Sequence, residues 1–85
     1  MESILDIYIH QTCPGCAQAQ KLASLVQESL PKLEVRIIDL THPSIKKPSS
    51  VFAVPTYILD GKTLSLGNPN FKDLISKIEE RLFNT

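Results

Sequence analysis

The sequence has no excess charge of either sign, no apolar run long enough to span a membrane, and no repeat, linker or low-complexity tract. Each of these lacks removes a class of protein. Nine Lys and Arg residues balance nine Asp and Glu residues along the chain. Charges that cancel in this way leave no basic face for nucleic acid or for an anionic membrane surface, so neither is expected as a partner. The opening Met1-Glu2-Ser3-Ile4-Leu5-Asp6 has no basic segment followed by a long apolar one, as an export signal requires. No stretch approaches the ~20 apolar residues of a transmembrane helix. These readings predict a soluble, cytoplasmic protein. With 85 residues, one domain over 1–85 is expected, near the lower end of what buries its own core. A 42% apolar content suffices for that core without a structural disulfide or metal.

Cysteine is scarce too, and both copies lie in one short stretch, His10-Gln11-Thr12-Cys13-Pro14-Gly15-Cys16. Before it comes Ile4-Leu5-Asp6-Ile7-Tyr8-Ile9, a run with strand character, and after it a helical pattern. The pair therefore falls on a strand-to-helix junction. With Cys13 at the cap, Pro14 is the first helical residue, where its missing N–H costs nothing and its fixed φ suits the helix. The free N–H groups of Gly15 and Cys16 then point back at the Cys13 sulfur, and the positive end of the helix dipole favours a thiolate there. Cys13 is thus expected to be the low-pKa nucleophile, with Cys16 shielded inside the first turn. Their spacing brings both sulfurs to one face, within reach of a disulfide. A tight Cys-x-x-Cys in a chain without export signals points to a working redox pair rather than a stabilising bridge.

The remaining pattern supplies a scaffold. The near-continuous apolar run Ile4 to Ile9 fits a central strand covered on both faces. Ala19, Leu22, Ala23, Val26 and Leu30 mark one face of a helix that stops before Pro31. Val35-Arg36-Ile37-Ile38-Asp39 reads as a second strand, parallel to the first through a right-handed crossover. Between Thr41 and Ser50, Pro43 and Pro48 leave room for at most a helical turn or two. Thr56-Tyr57-Ile58-Leu59 and Thr63-Leu64-Ser65-Leu66 flank Asp60-Gly61-Lys62, a hairpin signal. Asn68-Pro69-Asn70 opens a last helix, with Asp73 able to reach back to an Asn70 cap and Phe71, Leu74, Ile75, Ile78 and Leu82 on its apolar face. The expected architecture is α/β, a four-stranded mixed sheet with helices on both faces in the order β-α-β-α-β-β-α.

Three separated features together resemble the thioredoxin and glutaredoxin superfamily: Cys13-Pro14-Gly15-Cys16 after the first strand, Val54-Pro55-Thr56 opening the third, and Asp60-Gly61-Lys62 followed by Gly67 before the last helix. The resemblance covers nearly the whole chain and implies a thioredoxin-like fold. It implies a thiol–disulfide oxidoreductase in which Cys13 attacks protein disulfides and Cys16 resolves the mixed disulfide. By the same resemblance Val54-Pro55 is a cis bond facing the cysteines, and substrate is contacted by Thr12, Pro14, Val54, Pro55 and Gly67. Partners would be protein disulfide substrates and a protein reductase or other thiol donor, with no cofactor, and the protein would be a monomer. The departures are specific. Thr12 stands where thioredoxins have Trp, and Ile7 where they bury an acid. Gly15 replaces the Tyr of the glutaredoxin Cys-Pro-Tyr-Cys, His10 replaces a Lys, and Asn68 replaces the second glycine of a pair leading to the glutathione site.

Two rival functions remain open. A metal or iron–sulfur carrier using Cys13 needs further ligands, for which only His10 and His42 are present. A redox-responsive binding module with little turnover is the other. His10 is either a plain strand-end residue or a modulator of the Cys13 thiolate. Lys46 and Lys47 read as a solvated pair, and Phe52 as packing.

Overall fold

The computed structural model describes residues 3–83. Met1 and Glu2, part of the segment considered for export, lie outside the described residues, as do Asn84 and Thr85. The elements are β1 (Ile4–Ile9), α1 (Cys16–Ser29), β2 (Glu34–Asp39), β3 (Thr56–Leu59), β4 (Lys62–Leu66) and α2 (Phe71–Phe83). The strands form one mixed sheet in the order β2-β1-β3-β4. β1 is central, parallel to β2 and antiparallel to β3, and α1 supplies the crossover that a parallel pair requires.

Local chemistry explains several of these elements. Asp60 (φ 50°) and Gly61 (φ 84°) take the left-handed conformations that a tight hairpin turn demands. Asp60 also ties the hairpin to β1, its Oδ1 accepting from the Ile4 N–H at 2.8 Å and its own N–H donating to the Ile4 carbonyl at 2.9 Å. Within the hairpin the register steps from Tyr57↔Ser65 to Ile58↔Thr63, so Leu64 is an extra, bulged residue. That step keeps Leu64 buried while Leu66 is half exposed. α1 ends where Leu30 donates to the Val26 carbonyl and Pro31 follows. At the start of α2, Asn70 Oδ1 accepts from the Asp73 N–H at 2.8 Å, and Asn70 Nδ2 donates to the Asp73 carboxylate at 3.1 Å. This reciprocal cap is the one expected from sequence.

Helices on both faces were expected, and the structure corrects this. Leu5, Ile7 and Ile9 of β1 share one apolar cluster with Ala19, Leu22, Ala23 and Val26 of α1 and Leu74 and Ile78 of α2. Both helices therefore lie on one face. The opposite face carries Tyr8 and Ile58, covered by Val51 with Ile38, Leu40 and Val54 beside it. No helix forms in the segment between β2 and β3; it has isolated turns, Ile45 N–H to the His42 carbonyl and Val51 N–H to the Pro48 carbonyl. Pro48 cannot donate a helical hydrogen bond and pushes Lys47 away from helical φ/ψ, so two prolines this close leave one turn and no more.

Candidate active site

Cys13 and Cys16 are joined by a disulfide, with their Cα atoms 5.4 Å apart, inside the range such a bond allows. Their surroundings differ. Cys13 is partly exposed in the loop after β1, whereas Cys16 is the first residue of α1 and only 4% exposed, packed within the main apolar cluster. Gly15, not Cys13, occupies the helix cap, and Pro14 lies in the turn before it. The Cys13 N–H donates to the His10 carbonyl at 3.0 Å, and the Cys16 N–H donates to the Cys13 carbonyl at 3.2 Å. In the closed bridge, then, the first free N–H of the helix is turned to the Cys13 backbone rather than to its sulfur.

The loop is braced from its neighbours. The Gln11 N–H donates to Thr41 Oγ1 at 3.0 Å, and the Thr41 N–H donates to Asp39 Oδ1 at 2.9 Å. Hydrogen bonding from Thr41 holds the Asp39 carboxyl below the usual carboxylate range. His10 turns to Thr12, its Nδ1 accepting from the Thr12 N–H at 3.2 Å and pairing with the Thr12 hydroxyl at 2.9 Å. An accepting Nδ1 puts the proton of the neutral ring on Nε2.

His10, Thr12, Cys13 and Val54 border one groove of about 390 Å³, whose far wall holds Lys47, Val51 and Phe52. Phe52, expected to pack, is 72% exposed. The Val54-Pro55 bond is cis. Pro55 is buried and faces the cysteine turn, its Cδ 3.7 Å from where a Cβ on Gly15 would stand. Gly67 stands behind Pro55, donating its N–H to the Pro55 carbonyl at 2.8 Å. Ile7 is fully buried in the same cluster as Cys16. Among the described residues no three His, Cys, Asp or Glu side chains are placed to hold a metal ion, so His10 and His42 do not join the cysteines as a ligand set. Among those residues, too, no helix is long and apolar enough to cross a membrane.

No family model matches the chain. It is 26% identical over 80 residues to the thioredoxin of Methanocaldococcus jannaschii, which covers 92% of this chain and 94% of that one. Among solved structures it is similar to a malaria parasite thioredoxin-2, described as a component of that parasite's protein secretion machinery, with a TM-score of 0.79 at 22% identity over 93% of this chain and 82% of the other. It is also similar to Fasciola hepatica thioredoxin, with a TM-score of 0.73 at 22% identity over 93% and 80% of the two chains. The chain has the thioredoxin fold.

One part of this site was not anticipated from sequence, where Asn68 figured only as a departure from a glycine pair. The Asn68 side chain donates from Nδ2 to the Gly15 carbonyl at 2.7 Å, and its Oδ1 accepts from the Tyr57 hydroxyl at 2.8 Å. A buried sheet residue is thereby linked to the middle of the cysteine turn. The available signal was composition alone, a polar residue between Gly67 and Pro69.

Proposed function

We propose that this thioredoxin-like thiol–disulfide oxidoreductase acts on protein disulfides, with Cys13 as the attacking thiolate and Cys16 as the resolving thiol. The observation that carries the reading is the unequal burial of two bridged sulfurs, Cys13 opening onto a groove and Cys16 closed off in the core. The Cys13 sulfur attacks one sulfur of a substrate disulfide and expels the other as a thiolate. Cys16 then attacks Cys13, closing the internal bridge and releasing the second substrate sulfur. Two electrons pass to the substrate and two protons leave the cysteine pair. A dithiol donor runs the same exchange in reverse on the closed bridge.

Substrate lies in the groove beside Cys13, an extended segment pairing with the Val54 backbone as an added strand while Thr12, Pro14 and Pro55 contact it from the sides. Such pairing places no demand on side-chain sequence, which suits varied protein disulfides. His10 modulates Cys13 by holding Thr12 rather than by touching the sulfur. Departures at His10 and Asn68, where glutaredoxins have Lys and Gly, favour a protein reductase over glutathione as donor. The protein works in this reading as a cytoplasmic monomer. Insulin reduction tests it: catalysis with a dithiol donor supports the reading, and a protein that exchanges its own disulfide yet never accelerates insulin precipitation would be a binding module instead. Efficient glutathione-dependent turnover in a coupled assay would overturn the donor assignment.

A further inference from the structure

We propose that Asn68 is a positioning residue of the Cys13–Cys16 turn, acting on the Cys13 thiolate through the Gly15–Cys16 peptide; the proposal rests on the oxidoreductase reading above. The amide has one possible orientation. A carbonyl oxygen cannot donate, so the atom 2.7 Å from the Gly15 oxygen must be the donating Nδ2, which leaves Oδ1 for the Tyr57 hydroxyl. Burial pushes the Tyr57 hydroxyl up to about 12, so it stays protonated and keeps donating wherever the enzyme operates.

Gly15 is shaped by the same contact. A Cβ on it would stand 3.0 Å from Asn68 Nδ2, closer than side chains normally approach. Its φ of −88° suits any L-residue, so the backbone does not demand glycine there and the pressure comes from the Asn68 amide and the nearby Pro55 ring. Gly15 and Asn68 therefore form one unit.

The contact is not needed to complete the fold. The Gly15 carbonyl already accepts from the Ala19 N–H at 3.1 Å, and Asn68 is an exposed residue. What the second donor does is electrostatic. The Gly15 carbonyl and the Cys16 N–H are the two ends of one peptide group, so donation to the oxygen strengthens the N–H as a donor. That N–H points back at Cys13, donating to its carbonyl in the closed bridge. Once the bridge opens, a stronger donor there favours the Cys13 thiolate. Stabilising the thiolate favours the reduced pair, which makes the couple more oxidising.

The test compares the wild type with N68A, G15A, the N68A/G15A double variant and N68D, which keeps the shape of the amide but has no donor. Two readouts are taken: the pH dependence of Cys13 alkylation in the reduced protein, and the equilibrium of the pair in a glutathione redox buffer. N68A should lower the Cys13 thiolate fraction at neutral pH about threefold, as expected for the loss of one modest hydrogen bond. The exchange equilibrium should shift the same way by at most threefold, about 14 mV toward a more reducing couple. G15A and N68D should shift both readouts the same way, and the double variant should go no further than the larger single change. Unchanged titration in N68A, or additive effects in the double variant, would overturn the proposal. Because the readout is a difference between variants, it stands apart from the proposed function: a wild-type Cys13 that titrated as an ordinary cysteine would count against that function, and an absent difference would count against Asn68.

Discussion

Cys16 and Ile7 share one apolar cluster, Cys16 only 4% exposed and Ile7 fully buried. Where thioredoxins bury an acid, Ile7 offers no carboxylate to take up the proton of the Cys16 thiol. Resolution of the mixed disulfide should therefore accelerate with rising pH across the neutral range, because the attacking species is the thiolate. Rapid-mixing kinetics of a Cys13-linked mixed disulfide at several pH values would check this, and a pH-independent rate would contradict it. Ile7→Asp should not restore thioredoxin behaviour cheaply; burying that carboxyl without a partner should cost about 1–3 kcal/mol or more in denaturant unfolding.

The unequal exposure of the two sulfurs predicts a fixed order of attack. Cys16→Ser should trap substrate on Cys13, visible as a mixed disulfide on a non-reducing gel or by mass spectrometry. Cys13→Ser should be inactive. Alkylation of the reduced protein at neutral pH should label Cys13 first, and faster labelling of Cys16 would reverse the assignment.

Phe52 projects from the wall of the Cys13 groove with 72% of its surface open. An aromatic side chain in that position adds apolar contact to a docked polypeptide at no cost in folding. Phe52→Ala should lower kcat/KM for protein disulfides about three- to tenfold, the loss of roughly 1 kcal/mol of contact, while thermal stability and the rate of exchange with a small dithiol stay unchanged. Equal losses with both substrates would place the effect in the cysteine chemistry instead.

Tyr57 links pH to stability at the alkaline end. Desolvation raises its hydroxyl from the ordinary value to about 12, so the folded protein holds this proton where the unfolded chain releases it. Stability from this group is complete below about pH 10 and declines as pH rises towards 12. Urea unfolding of wild type and Tyr57→Phe should show a shallower alkaline decline in the variant. Identical slopes would mean that the hydroxyl is not protected by the fold.

Much of this molecule was legible in the linear chain, and the legible parts share a physical reason. Asp60-Gly61 dictates its hairpin because the turn is made of those residues' own dihedrals, and Asn70 caps α2 through a partner three residues away. Cys13 and Cys16 meet because their spacing closes one turn. Local interactions of this kind need no knowledge of the rest of the fold. Where the sequence reading failed, the deciding contacts were distant. Whether a second face of the sheet would carry a helix depended on how the segment from Leu40 to Val54 drapes over Tyr8 and Ile58. The bulge that buries Leu64 exists only in the pairing of β3 with β4. Asn68 reaches Gly15 across 53 positions of sequence, and it does so only because the Gly67 N–H pins the chain to Pro55 beside the cysteine turn. The sequence alone determined which two sulfurs are bridged, since their meeting is a matter of a single turn; the tertiary structure alone decided which side chain holds that turn, because only the packed sheet brings Tyr57 and Asn68 to it.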